Sequence, residues 1–292
     1  MTVSSAPSQA NERLDLVRAR LLAATRHAAR APEEVALLAV SKIQPIEKIR
    51  ALYAAGQRAF GENYVQEAED KVSQLADLVD IEWHLIGPLQ SNKTRGVAET
   101  MQWVHSVDRL KIAERLSAQR PPTLAPLNVC IQINVSGEIS KSGCVPIDAP
   151  ALIEAVSRLP RLRLRGVMGM PEPGVSEAET RAQFLLLARV FAQAKTSMPS
   201  LDTLSMGMSD DLEIGCLRLD DGSRGHGTVR RAACGLSAKS GRERTVDWGQ
   251  NLSANCSRPS AKKVSCEENL FCWRWQYGRR HGHRFTQKTS GP

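Results

Sequence analysis

A buried-looking apolar run ends on a lysine at VALLAVSK, residues 35–42. A lysine whose stem is held in an apolar mouth pays desolvation in its charged form. That favours the neutral amine, a nucleophile toward carbonyl carbon. An aldehyde captured by Lys42 would be held as an imine. A surface lysine closing a strand has the same local sequence, and on this segment alone both readings stand. Other polar residues recur where apolar runs end: Asn63 in AFGENY, His84 in WHLIG, Asn134 in LNVCIQINVS, Met170 with Glu172, and Ser205 with Ser209 around LSMGMS. Asn63 also reads as a turn residue of GENY, and His84 as a satisfied histidine near a strand end.

The elements that must position these residues alternate. Leu14, Val17, Leu21 and Leu22 lie at helical spacing between Asn11 and Arg30. Strands follow at 35–42, 59–64, 83–87, 101–108, 127–136, 162–170 and 201–208. Helices fall between them at 46–56, 64–77, 91–100, 109–119, 148–159 and 176–195. Repeated strand–helix units predict parallel pairing, because parallel strands need crossover connections. A doubly wound sheet and a (β/α)8 barrel both fit. The barrel is preferred because it gathers every strand C-terminus, and so every one of those polar residues, onto one face. A doubly wound sheet uses only the crevice at its switch point. The count stops one strand short of eight.

The chain has 292 residues, enough for a large core. No stretch approaches the roughly 20 apolar residues of a membrane span. The opening MTVSSAPSQANERLD lacks the apolar run of a secretion signal. Seven cysteines, an odd number, do not suit a fully paired secreted scaffold. A cytoplasmic protein is the expectation. Charge is uneven: residues 1–213 carry net −1 and residues 214–292 net +9, and five of the seven cysteines lie in the second part. Two compositions meet near Glu213, so the chain is read as a domain over 1–213 and a basic tail over 214–292.

FGENYVQE (60–67), WHLIGPLQSNK (83–93), INVSGEISKSG (133–143), GVMGMPE (166–172) and LSMGMS (204–209), in that order, resemble the pyridoxal-phosphate homeostasis protein family. That family is similar to the barrel domain of bacterial alanine racemases. The resemblance implies a racemase-type TIM barrel and pyridoxal 5′-phosphate carried on Lys42 as an aldimine. It implies that Asn63 and His84 border the pyridine ring. It also implies that SMGMS, through Ser205, Gly207, Met208 and Ser209, forms part of a phosphate cup. There a glycine lets the backbone approach and successive N–H groups donate. A strand with a glycine exit is the plainer reading of SMGMS, but the cup is preferred because Ser205 and Ser209 flank a glycine just before a helix start at Ser209–Asp211. The side chains of Met168, Met170, Met206 and Met208 are read as core filler. Glu138 and Lys141 are read as a solvated loop pair in preference to a closure of the barrel mouth.

Racemisation needs acid–base groups on both faces of the cofactor. The racemases resembled here supply a tyrosine from a second domain, and none is visible in this chain. Tyr53 and Tyr64 lie on helices and Tyr277 in the tail. Cofactor binding and delivery, with pyridoxal-phosphate-dependent apoenzymes as recipients, is therefore preferred over turnover. A racemase or decarboxylase is the alternative. A monomer without membrane or specific nucleic-acid partners is expected.

After SMGMSDDLE the resemblance calls for a short helix and an eighth strand of the type GSTMVRVGTALFGAR. The chain reads IGCLRLDDGSRGHGTVRRAACG instead, through which no barrel strand can be drawn. Arg218 to Ala232 can be back-translated so that reading one nucleotide later yields GSTMVRVGTALFGAR. Only wobble positions are free in that exercise. A frameshift just after Glu213 is the resulting expectation, with a barrel lacking strand eight, open edges at strands one and seven, and a disordered tail. Cys256, Cys266, Cys272, His281 and His283 match no common zinc spacing. CWRWQYGRRHGHR mixes aromatic and basic residues as single-strand binders do, but a +9 segment binds polyanions nonspecifically in any case.

Overall fold

The computed structural model describes residues 6–138, 141–217, 232–235 and 274–276, with backbone alone at 6–9, 232–235 and 274–276. The strand–helix alternation is present throughout. Helix α1 (Ala6–His27) precedes β1 (Val35–Val40), α2 (Ile46–Ala54), β2 (Ala59–Glu62), α3 (Val65–Gln74) and β3 (Glu82–Leu85). Then come α4 (Thr94–Thr100), β4 (Trp103–Val107), α5 (Leu110–Gln119), β5 (Leu127–Gln132) and α6 (Ala149–Ser157). The series continues with β6 (Leu162–Met168), α7 (Glu177–Ser197), β7 (Thr203–Ser205) and a short α8 (Leu212–Cys216). Strands β1 to β7 pair in sequence order, each parallel to the next. This is the parallel barrel order that the strand–helix repeats predict. No described helix is long and apolar enough to cross a membrane.

Local signals explain the elements. Ser176 caps α7 through a reciprocal box: its hydroxyl accepts from the Glu179 N–H, and the Glu179 carboxylate accepts from the Ser176 N–H. Pro150 sits in the first turn of α6, where its missing N–H costs nothing. Helix α2 ends at Gly56, whose φ of +86° suits glycine.

Leu85, Val104, Val129, Ile131 and Val167 belong to one apolar core that also takes in Val97, Ile112, Leu116, Ile153, Phe184 and Leu187 from the helices. The other strand face turns into the barrel and is polar and aromatic. Contacts among Glu82, His84, Trp103, His105, Arg165 and Ser205 join β3, β4, β6 and β7 across that interior.

The seam between β7 and β1 corrects the expectation of two open edges. A short strand β9 (Arg274–Gln276) runs antiparallel to both β7 and the start of β1. Another, β8 (Ala232–Gly235), runs parallel to β1 over Leu37–Val40. So a strand can be drawn at 232–235, at the end of the very stretch IGCLRLDDGSRGHGTVRRAACG through which none was expected. The physical reason is that an exposed strand edge offers backbone donors and acceptors to any extended segment, whatever its side chains. No further strand–helix repeat continues the series among the described residues. The cysteines and histidines weighed as a zinc set, Tyr277 and most of CWRWQYGRRHGHR lie outside the described residues. No group of His, Cys, Asp or Glu among the described residues could hold a metal.

Helix α1 packs beside this seam. Arg20 pairs with Glu213 at 2.9 Å and donates to the Ser209 carbonyl at 3.2 Å. Buried Arg30 donates to the carbonyls of Cys216 and Leu217, the free acceptors at the end of α8.

Candidate functional site

Lys42 lies in the turn after β1, half-buried, with Ser41 before it and Ile43 after it. The turn is held on both sides. Ser41 Oγ donates to Glu62 Oε1 at 2.5 Å, and Ile43 N–H donates to Glu67 Oε1 at 2.5 Å. Lys71 Nζ, from α3, donates to the Ser41 carbonyl at 2.5 Å, to Glu62 Oε1 at 2.9 Å and to Glu67 Oε1 at 2.6 Å. The side chains of Lys71 and Glu62 are 6% and 0% exposed. Burial pushes the Glu62 carboxyl up, against the opposing pull of the Lys71 ammonium and the Ser41 hydroxyl. Ile43 has φ of +59°, an unusual value for a β-branched residue, beside the lysine. Such strain persists where surrounding contacts over-determine it, and here those contacts are Glu62, Glu67 and Lys71. Sequence reading did not single out Lys71. Its signal was position: Val65, Ala68 and Lys71 share the buried stripe of α3 at three-residue spacing.

Asn63 is half-buried just beyond β2. Gly87, in WHLIG, passes over its peptide so closely that a Cβ on Gly87 would lie 2.1 Å from the Asn63 oxygen. The tips of β2 and β3 are thus held together by the absence of one side chain.

His84 is fully buried, and both its ring nitrogens are engaged inside the barrel. Nε2 meets Glu82 Oε2 at 3.1 Å and Nδ1 meets His105 Nε2 at 3.0 Å. Its ring stacks on Trp103, with centroids 5.4 Å apart and planes 12° apart. His105, which sequence reading missed, continues to Ser205 Oγ at 2.8 Å through Nδ1. Its signal was alternation in WVHSV, which puts Trp103 and His105 on one face before the register shifts ahead of Val107. Arg165 lies over Trp103 and forks onto Asp202, Nε to Oδ1 at 2.7 Å.

The SMGMS segment has the features of an anion cup. Gly207 has φ of +89°, open to glycine and strained for a side chain. Ser209 Oγ is buried and has no hydrogen-bond partner among the described residues. An orphaned buried hydroxyl is costly unless something meets it. Met208 N–H, however, donates to the Asp211 carboxylate, so that donor is taken. Burial raises the Asp211 carboxyl to about 7. The residues present fit a phosphate, with Ser209 as its unused donor.

A cavity of about 300 Å³ opens in the mouth at the ends of β3, β5, β6 and β7, lined among others by Ile86, Asn134, Lys141, Met170, Glu172 and Met208. Of the residues singled out for the cofactor, Met208 alone is in its wall. Lys42, Asn63, His84, Ser205, Gly207 and Ser209 do not line it. Asn134 orders one wall, since its Oδ1 accepts from Ser136 Oγ and the Gly137 N–H, and its Nδ2 donates to the Glu138 carbonyl. Glu138 pairs loosely with Lys141 at 3.9 Å. Glu172 is raised by a shared hydrogen bond with Glu138 and by repulsion from it. Lys141 thus lines the cavity, while its pairing with Glu138 is that of a solvated loop pair.

Known proteins bear on this site. The alanine racemase N-terminal domain family matches residues 13–220. The pyridoxal phosphate homeostasis protein of Pseudomonas aeruginosa is 58% identical over 202 residues, 69% of this chain and 86% of that protein. That of Escherichia coli K12 is 53% identical over 202 residues, 68% of this chain and 85% of that protein. Among solved structures, PipY of Synechococcus elongatus with pyridoxal phosphate bound is 38% identical. It matches with a TM-score of 0.61 over 75% of this chain and 97% of PipY. The family match ends within a few residues of the point where composition changes. From its fold and its relatives alike, this chain belongs to the pyridoxal phosphate homeostasis protein family, built on the alanine racemase N-terminal domain.

Proposed function

We propose that the chain binds pyridoxal 5′-phosphate, with Lys42 as its covalent anchor, and holds and hands on the cofactor rather than turning over an amino acid. The observation that carries this reading is the turn around Lys42. A buried ammonium and two carboxylates fix the peptides on either side of the lysine and leave its own side chain out of their network. Spending a buried charged cluster on one turn is expensive, and a lysine with a covalent task explains it. Bound, the cofactor supplies an aldehyde for an amine to capture and a ring that draws electrons from it. Ser209 donates to the phosphate, and Gly207 lets the backbone come close. The binding of the cofactor by PipY and the shared name of the relatives support the same assignment.

Among the described residues, no tyrosine lines the cavity to give turnover its second acid–base group. Tyr53 donates its hydroxyl to Asp80 and lies under the Arg58 guanidinium, on an outer helix. Tyr64 is exposed at the start of α3. Neither belongs to the cavity wall. Incubation of the loaded protein with L-alanine and with D-alanine tests this directly. The expected result is no interconversion above that of free cofactor, with cofactor passing to an added apoenzyme. Racemisation dependent on Lys42 would overturn the reading in favour of an enzyme. A cytoplasmic location, a monomeric state and apoenzyme recipients complete the proposal.

A further inference from the structure

Residues 208–211 make a tight turn at the exit of β7. The Asp211 N–H donates to the Met208 carbonyl at 3.3 Å, and the Met208 N–H donates to the Asp211 carboxylate. The two ends of the turn are thus tied to each other. The peptide between Ser209 and Asp210 is its middle. In a β-turn that central peptide has two main orientations, type I and type II, with its carbonyl turned to opposite sides. Type II needs a positive φ at the third residue, and Asp210 does not have one. Aspartate tolerates positive φ better than most residues, however, so residue type alone does not fix the peptide.

A residue outside the turn holds it. Arg20, on α1, donates from Nη2 to the Ser209 carbonyl at 3.2 Å. Glu213, on α8, aims that guanidinium: Nε donates to Oε1 at 2.9 Å and Nη2 to Oε2 at 3.0 Å. A fork of this kind sets the plane of the guanidinium as well as its position. The peptide is planar and trans, so with the Ser209 carbonyl on Arg20 the Asp210 N–H points the opposite way, away from α1. The other orientation would put a carbonyl where the turn now presents an N–H. Ser209 also carries the buried hydroxyl that has no hydrogen-bond partner among the described residues. Met208, one residue earlier, stands in the cavity wall.

We propose that Arg20 is a positioning residue for phosphate recognition: it holds the Ser209–Asp210 peptide in one orientation, so that the turn offers the phosphate of the cofactor a donor and not a carbonyl. The proposal rests on the reading of SMGMS as a phosphate cup and deepens it. It makes α1, which carries no residue of the cup, part of the selection of a phosphorylated ligand. Arg20 acts through the main chain, from a side chain 46% exposed on the outer side of the turn.

The test is an absorbance titration of the full chain with pyridoxal 5′-phosphate and with pyridoxal, which lacks the phosphate. Wild type is expected to bind pyridoxal 5′-phosphate the more tightly. Arg20→Met keeps an apolar stem and removes the donors. It should lose about tenfold in affinity for pyridoxal 5′-phosphate, the worth of one hydrogen bond, and nothing toward pyridoxal. Glycine at exposed position 210 removes the steric cost of the other orientation. Asp210→Gly alone should lose little, because Arg20 still holds the peptide. The loss caused by Arg20→Met should be larger in the Asp210→Gly background than in wild type. That coupling separates a held peptide from a lost positive charge, whose effect would be the same in both backgrounds. Exposed ion pairs contribute little to stability, so the variants are expected to fold, and thermal melts check this. Should Arg20→Met not fold, Arg20→Lys takes its place, keeping the charge but not the fork. Equal losses toward the two ligands, no loss at all, or the same loss in both backgrounds overturns the role of Arg20 and leaves the cup standing. A wild type that does not distinguish the two ligands removes the cup and the role of Arg20 together.

Discussion

Lys71 Nζ donates to the main-chain carbonyl of Ser41, at 2.5 Å, from a side chain only 6% exposed. The covalent anchor proposed at position 42 therefore hangs from a turn whose geometry is set by a second lysine on a different element. Lys71 is a positioning residue, and the consequences of removing it follow from its partners.

Lys71→Met leaves Glu62 buried without its cation. Breaking a buried ion pair in this way costs about 3–5 kcal/mol, more than burying the methionine returns. Chemical denaturation should show that loss. The double variant Glu62→Gln with Lys71→Met should recover part of it, because no buried charge remains unpaired. In both variants less cofactor should be trapped at position 42, since Ile43 is freed to leave its strained conformation. Trapping unchanged from wild type in the folded double variant would show that the cluster serves stability alone.

Gly87→Ala places a methyl group on the Asn63 peptide, where the Cβ would lie 2.1 Å from the carbonyl oxygen. Backbone cannot rotate away as a side-chain end can. The expected cost is about 1–3 kcal/mol, with the β2 tip displaced and cofactor affinity reduced. A melt of Gly87→Ala equal to that of wild type would contradict the packing described for the two tips.

Asp211 gives stability a pH dependence of definite sign. Burial raises its carboxyl from the ordinary 3.8 to about 7. The folded state then holds the proton more tightly than the unfolded state. Stability from this group is greatest below pH 4 and is lost as pH rises toward 7, by at most about 4 kcal/mol. Asp211→Asn should flatten that part of the stability profile. An unchanged slope between pH 4 and 7 in the variant would assign it to other groups.

Much of this architecture could be read from residue order, because strands and helices differ in period and length. VALLAV, WVHSV and LNVCIQ are short apolar runs separated by amphipathic stretches, and parallel pairing follows from the connections. Lys42 was legible as the polar end of such a run. Lys71 and His105 were harder, although each occupies a buried position in its element's pattern. Whether a polar residue on a buried stripe is paired depends on neighbours distant in sequence, such as Ser41 for Lys71 and Ser205 for His105. The seam was illegible for another reason. Backbone pairing of β8 and β9 with β1 makes no demand on side-chain pattern.

The frameshift reading of residues 218–232 predicts a definite nucleotide string. Sequencing the gene should show codons that, one nucleotide later, spell GSTMVRVGTALFGAR. Codons that do not yield that string would dismiss the idea. With it would go the expectation that the tail's +9 charge reflects codon statistics rather than a partner.

The most direct test of the account is borohydride reduction of the full chain with pyridoxal 5′-phosphate, followed by proteolysis and mass mapping. The account predicts one phosphopyridoxyl group on the peptide containing Lys42, and none in Lys42→Ala. A folded wild-type chain that carries the label elsewhere, or carries none, would contradict it.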